Sequence, residues 1–315
     1  LTKLPDSLKL AHERSLQSRK KAHEHLKPET VRAFQRLKAI AKKGSVPFCR
    51  EALGYEPTSY QVKFLQETAQ FIAQRWCRQS GKDHSAASKL FWYAVDHDGA
   101  QLAIVGPSFR QSKLVIRKIN AFITLKLPKD IPFQEILLGR KTLKTKVSLV
   151  NGSNIEAYPC NPDTIRGPTL HGVLATEFNF VKDDEELYDA ILFTLGTTNG
   201  FFIANSTPWS RDHIFYRICK DKDFAEFKQF HVSWKEALET NGGPLKKSIL
   251  EKIRKQLAAD PWRWHREMEA EWAEDDDVWL PQSLITSCID PNMEIRIVDR
   301  QKSFWVAEPE RASPT

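Results

Sequence analysis

The chain has 315 residues, 41% of them hydrophobic, which is enough for one large domain with a real core. Its 47 Lys and Arg against 40 Asp and Glu give a net charge of +7, a balance that suits a polyanionic partner and also serves solubility. The five cysteines, Cys49, Cys77, Cys160, Cys219 and Cys288, are scattered without a Cys-x-x-Cys pair, which argues against a disulfide framework or a zinc site and fits a reducing compartment, and no apolar run approaches the ~18 residues of a membrane span.

The chain opens on Leu1, and its first 45 residues are charged throughout, without a secretory signal pattern. Residues 6–44 read as helix: DSLKLAHERSLQSRKKAHEHL, a break at KPET, then VRAFQRLKAIAKKG. Pro28 and Thr30 mark the second start and Gly44 its close. Lys and Arg dominate here. Residues 1–54 are therefore expected to form a basic helical N-terminal arm, whose charged face is either simply solvated or docks on nucleic acid or a partner protein.

From residue 60 strands alternate with helices. FIAQRWC (71–77) reads as a buried strand and GKDHSAASKLFWYAV (81–95) as a helix. QLAIVGP (101–107) is a second strand, followed by the helix SFRQSKLVIRKINAFI. VSLV and NIEAYPC flank Asn151-Gly152, a hairpin turn signal. The strand GVLATEF (172–178) leads to the helix DDEELYDAILFTL, and the strand FFIANSTP (201–208) to the helix RDHIFYRICK. FKQFHVSW (227–234) is the last strand. This alternation predicts an α/β fold with a mostly parallel central sheet flanked by helices, its ligands bound at the carboxyl ends of the strands. Residues 244–272 read as two helices, with Trp262, Trp264 and Trp272 as packing residues rather than base-stacking platforms. The run Glu274-Asp275-Asp276-Asp277 reads as a solvated helix end, the chain beyond Pro281 as irregular, and ERASPT as a disordered tail.

Three stretches at strand ends carry chemistry. Arg78-Gln79-Ser80-Gly81-Lys82 sits between a strand and a helix, where outward N–H groups and the helix dipole make an anion site and a lysine can reach terminal phosphates. Against the phosphate-loop pattern G-x-x-x-x-G-K-[ST] it departs twice: Trp76 replaces the first glycine, and Asp83 replaces the hydroxyl residue. GVLATEF offers Thr176-Glu177 where phosphate-loop enzymes end a strand in Asp-Glu, the Asp for magnesium and the Glu for the attacking water. The two departures are complementary. Asp83 and Thr176 together still supply one carboxylate and one hydroxyl, so the expectation is that they have exchanged roles around Mg2+. The alternative is a decayed site that binds nucleotide poorly and hydrolyses nothing.

Taken in order, these stretches resemble the ATPase domain of the large terminase subunit, the DNA-packaging motor of tailed viruses. RQSGK (78–82) is similar to its R-x-x-G-K loop and QVKFL (61–65) to its adenine-contacting Q-x-x-F-L setting. IVGPSFRQS (104–112) resembles its helicase-like motif, and IRGPTLHGVLATEF (165–178) its Arg-Gly segment leading into the catalytic Glu. IANSTPWSRDHIFYRI (203–218) is similar to its coupling motif, and AEWAEDDDVWLP (270–281) to the exit from the domain. The resemblance implies a RecA-like P-loop NTPase of the ASCE type spanning residues 55–285, with ATP and Mg2+ as cofactors. It implies that Lys82 binds the terminal phosphates within a nucleotide site of Gln61, Arg78, Gln79, Ser80, Gly81, Lys82 and Asp83. Glu177 would position water, Arg78 would be the arginine finger, Gln61 would read adenine, and Ser206 and Thr207 would sense the γ-phosphate. For Arg78, Gln61 and the Ser206-Thr207 pair, the plainer readings are a surface charge, an ordinary helix residue and a helix cap before Pro208.

As partners the resemblance implies double-stranded DNA, a viral portal on the procapsid, a small terminase subunit and a homo-oligomeric ring, a pentamer, with no membrane. The place of work would be the host cytoplasm, transiently at the portal vertex. Residues 286–315, about 30 residues, are too few for the family's RNase H-like nuclease and are expected to be a linker or tail. Two rivals stand beside this reading: one lobe of a helicase-type translocase, and a catalytically silent nucleotide-binding scaffold.

Overall fold

A computed structural model of the chain describes residues 26–272 and residue 288. The expectations for the helix before residue 26, for the acidic run at 274–277 and for the tail lie outside the described residues.

In chain order the elements are α1 (Pro28–Ala41), α2 (Ser45–Glu51), α3 (Ser59–Gln66), β1 (Phe71–Trp76), α4 (Lys82–Asp96), β2 (Gln101–Val105), α5 (Phe109–Leu125), α6 (Phe133–Ile136), β3 (Lys146–Ser148), β4 (Asn154–Ala157), α7 (Pro162–Ile165), β5 (Gly172–Thr176), α8 (Asp184–Leu195), β6 (Phe201–Ser206), α9 (Ile214–Lys220), β7 (Phe227–Val232), α10 (Lys247–Gln256) and α11 (Pro261–Trp264). The last of these runs on as a π-helical turn over His265–Glu269. The strands form one sheet in the order β3-β4-β2-β5-β6-β1-β7. Every pairing is parallel except that of β3 with β4, the hairpin around Asn151-Gly152.

Side chains alternate across a strand with period two, and the apolar residues here sort accordingly. Ile72, Leu102, Ile104, Leu174 and Ile203 point to one face and pack with α1 to α5. Ala73, Ala103, Val105, Val173, Ala175, Phe202 and Ala204 point to the other and pack with α8 and α9, through Leu187, Ile191, Phe215 and Ile218. Both faces of β5 are covered and its five residues are all buried, which is why GVLAT reads as a continuous run rather than an alternating one.

The arm expected at residues 1–54 differs where it is described. Phe34, Leu37 and Ala41 of α1 and Val46, Phe48 and Cys49 of α2 belong to the same hydrophobic cluster as Leu90 and Phe91 of α4. Their spacing is the i, i+3, i+4 stripe of a helix that buries one face, and Arg32 and Arg36 of α1 lie exposed on the other. The indole N–H of Trp92 donates to the Ala41 carbonyl at 2.9 Å, closing the C-terminus of α1 against α4. Residues 28–54 are thus packed onto the body of the domain. The tryptophans near the C-terminal end of the described chain are mostly packing residues: Trp264 and Trp272 are buried, and Trp262 is part-exposed.

One topological fact positions the site. β6 lies between β1 and β5, so the carboxyl ends of three adjacent interior strands stand side by side. β1 delivers the loop before Lys82, β6 delivers Ser206 and Thr207, and β5 delivers Thr176 and Glu177.

Candidate functional site

Trp76 explains the first departure from the loop pattern. It ends β1 fully buried, with the rings of Tyr60 and Phe64 against it at 4.9 and 5.8 Å. Burying an aromatic of this size stabilises by about 4–6 kcal/mol at most, so the residue anchors the loop to the core rather than shaping its turn. The turn is made further on. Gln79 and Gly81 both have positive φ, at 60° and 87°, and Gly81 caps the N-terminus of α4 in the left-handed region. A Cβ on Gly81 would lie 2.9 Å from Gln61 Nε2, so glycine there serves conformation and close approach together. The loop is tied from below: Tyr60 Oη donates to the Ser80 carbonyl at 2.8 Å, and Ser80 Oγ to the Cys77 carbonyl at 2.6 Å.

The fifteen-residue helix α4 begins at Lys82. Its free N–H groups and dipole favour an anion at this end. The Lys82 ammonium stands 2.8 Å from Glu177 Oε1, with the lysine side chain 8% exposed. Burial alone would push this ammonium down, but the carboxylates of Glu177 and Asp83 outweigh it and hold its pKa above the ordinary lysine value. Glu177 itself sits at φ 50°, ψ 44°, a left-handed turn between β5 and the short helix that follows. That conformation is uncommon for a residue with a Cβ and adds to the case for Glu177 as a candidate site residue.

Thr176 and Asn205 are register partners on β5 and β6, on the sheet face that carries α4. Thr176 Oγ1 donates to Asp83 Oδ1 at 3.0 Å, and Asn205 Nδ2 approaches the same oxygen at 3.4 Å. The other end of the Asn205 amide accepts from the Glu177 backbone N–H at 3.3 Å. Ser206 Oγ lies 3.5 Å from Glu177 Oε2 and accepts from Asn179 N. Lys82, Asp83, Glu177 and Thr207 line one cleft of about 1080 Å³.

The donor set accommodates magnesium. Asp83 and Thr176 bring one carboxylate and one hydroxyl together, all hard oxygen, and this ion is ordinarily held by one or two carboxylates, substrate phosphates and water. Among the described residues no group of three or more His, Cys, Asp or Glu forms a protein-only metal site.

Two of the expected site residues are engaged elsewhere. Arg78 lines the cleft, yet its guanidinium pairs with Glu267 at 3.1 Å and its backbone N–H donates to the Glu267 carbonyl. Gln61 faces the cleft from α3, while its Oε1 accepts the Thr58 N–H at 3.0 Å, so one residue serves as helix cap and cleft lining. Gln79 and Gly81 line the cleft, and Ser80 is wholly buried beneath it. Sequence reasoning missed Asn205, Asn179 and Lys118. Asn205 immediately precedes the Ser206-Thr207 pair, a signal available in the sequence, but its role needs β6 to lie beside β5.

A mostly parallel sheet covered on both faces, with a lysine loop on one strand, a glutamate two strands away and a third strand inserted between them, defines a RecA-like P-loop NTPase fold of the ASCE type. Within that class the chain belongs to the family described as terminase large subunit, T4likevirus-type, N-terminal, which matches residues 77–287. The fold is similar to that of the Thermus phage P74-26 large terminase ATPase domain, at 20% identity and a TM-score of 0.53 over 72% of this chain and 97% of that one. It is also similar to the large terminase of bacteriophage HK97 (17% identity, TM-score 0.57, 76% of this chain and 55% of that one). A third similar fold is the large terminase of the thermophilic bacteriophage D6E in complex with ADP (13% identity, TM-score 0.52, 69% and 54%). The chain therefore spans nearly all of an isolated ATPase domain and about half the length of two large terminases. Direct comparison with curated proteins gives no match. No described helix is long and apolar enough to cross a membrane.

Proposed function

We propose that this domain hydrolyses ATP and that its turnover drives double-stranded DNA into a viral procapsid. The observation that carries the reading is the 2.8 Å contact between Lys82 and Glu177, which brings a phosphate-binding cation and a water-activating carboxylate into one cleft. Lys82 and the N-terminus of α4 bind the terminal phosphates. Glu177, released from Lys82 as phosphate takes its place, orients the attacking water and accepts its proton. Asp83 and Thr176 would hold magnesium, which supplies charge neutralisation on the phosphates when bound. Ser206, within reach of Glu177 Oε2, and Thr207 beside it pass the state of the site to the chain beyond β6. Gln61 faces the base, and Arg78 acts as the arginine finger only after leaving Glu267.

The basic surplus suits contacts with DNA backbone that are independent of sequence and sensitive to salt. On this reading the working assembly is a homo-oligomeric ring, a pentamer, on the procapsid portal, fed by a small terminase subunit in the host cytoplasm. The silent-scaffold reading draws on Asp83 standing where a hydroxyl is usual. One assay separates the two: steady-state ATP hydrolysis, with and without DNA, for the wild type and Glu177→Gln. Turnover that DNA stimulates and Glu177→Gln abolishes supports the motor. Tight nucleotide binding without turnover in the wild type refutes it.

A further inference from the structure

Asp83 creates an electrostatic problem that the ordinary loop pattern lacks. A Ser or Thr following the lysine is neutral; Asp83 carries a full negative charge in the first turn of α4, beside the place where phosphates bind. The neighbouring ammonium of Lys82 is already paired with Glu177. The hydroxyl of Thr176 and the amide of Asn205 donate to Asp83 Oδ1 but bring no net charge. The second oxygen, Oδ2, has a cation beside it: Lys118 Nζ, at 3.8 Å, reaching in from α5. Lys118 lines the same cleft as Lys82 and Glu177, and its side chain is 38% exposed against 26% for Asp83.

We propose that Lys118 is a positioning residue that neutralises Asp83, so that the phosphate site accepts a nucleotide without a divalent cation. The proposal rests on the nucleotide reading above and goes beyond it. Without Lys118, the Asp83 carboxylate would be offset only by Lys82, which Glu177 also holds, and would face the nucleotide's own negative charges, where like charges repel strongly as water is partly excluded. A divalent cation competes for the same carboxylate, so the contribution of Lys118 is largest when that cation is absent. Lys118 thereby completes the exchange of carboxylate and hydroxyl between α4 and β5: the exchange moves a charge toward the loop, and the third element, α5, balances it.

The test is calorimetric binding of ADP and of a non-hydrolysable ATP analogue, once in EDTA and once in magnesium. Lys118→Met is expected to weaken binding about two- to fivefold in EDTA and clearly less in magnesium, as for one pair of part-exposed charges. Lys118→Arg retains wild-type affinity. In an Asp83→Asn background Lys118→Met makes no difference in either condition. Equal losses in both conditions, a loss that persists with Asp83→Asn, or wild-type binding seen only in magnesium overturns the proposal. Lys82→Ala provides the separate control. If the wild type binds no nucleotide, or Lys82→Ala binds as well as the wild type, the nucleotide reading itself fails and takes the proposal with it. If Lys82→Ala loses binding while Lys118→Met in EDTA matches the wild type, the role of Lys118 alone is refuted. Lys118 is part-exposed and outside the core, so its replacement leaves the fold intact, and Lys118→Arg separates charge from shape.

Discussion

Glu177→Gln keeps the shape of a side chain that sits 2.8 Å from Lys82 and removes only its charge. In the free protein the carboxylate holds the ammonium that terminal phosphates need, so the two anions compete. The lysine side chain is 8% exposed and the glutamate 23%, so the pair is largely withdrawn from water. Two unit charges about 4 Å apart attract by about 4 kcal/mol at an effective dielectric near 20, and desolvation offsets much of that. A charge-assisted hydrogen bond is worth about 1.5–3 kcal/mol net. Relieving the competition should therefore tighten binding of a non-hydrolysable ATP analogue by about 10- to 150-fold. Hydrolysis should fall at least ~100-fold in the same variant, because the group that activates water is gone. The free variant should also melt at lower temperature than the wild type, since a buried ammonium has lost its partner, and recover when the analogue binds. Isothermal titration calorimetry and thermal melts, each with and without analogue, measure all of this. A folded Glu177→Gln variant that binds the analogue no better than the wild type would refute the competition between Glu177 and phosphate for Lys82.

Asp83→Thr alone should abolish hydrolysis, and adding Thr176→Asp should restore part of it; a double variant no better than the single one defeats the exchange of roles across their 3.0 Å contact. Gly81→Ala must hold φ 87° with a Cβ 2.9 Å from Gln61 Nε2, so urea denaturation should show a loss of about 1–2 kcal/mol, and unchanged stability would show that the loop relaxes freely. Burial pushes the Lys89 ammonium down to about 8, although the carbonyls of Phe64, Leu65 and Glu67 all accept from it. Between pH ~8 and ~10.4 the unfolded chain keeps this proton and the folded chain has lost it, so this group makes stability rise with pH by up to about 1.4 kcal/mol per unit, and below that window both states hold the proton and the slope vanishes. Wild-type stability minus that of Lys89→Met, followed by denaturation through this window, should rise accordingly; a flat difference refutes it.

Much of the fold is legible because its strands are buried on both faces. GVLAT and the FFIA of β6 are short apolar runs bounded by turn residues, and a run that ends in polar residues at the sheet's carboxyl edge announces a site. Lys82 and Glu177 can be found this way, and so can the complementarity of Asp83 and Thr176. What strand patterns cannot reveal is lateral order. Nothing within FFIANS says that it lies between the loop strand and the glutamate strand, and so Asn205, whose contacts depend on that neighbourhood, goes unnoticed. Lys118 is hidden for the same reason, as one of four basic residues on α5. The N-terminal helices show a different limit. Their Lys and Arg drew attention to the wet side of α1, while Phe34, Leu37 and Ala41 already formed the dry stripe. Arg78 shows a further limit, since a motif position does not disclose that Glu267, far along the chain, holds the guanidinium.

Asn205 joins the two walls of the cleft. Its two amide ends reach opposite walls, the carboxylate of the loop helix and the backbone of the Glu177 turn, from a strand set between them. Neither wall can shift alone without dragging that peg. On the proposed motor reading, a displacement begun on either side would reach β6 through this one side chain.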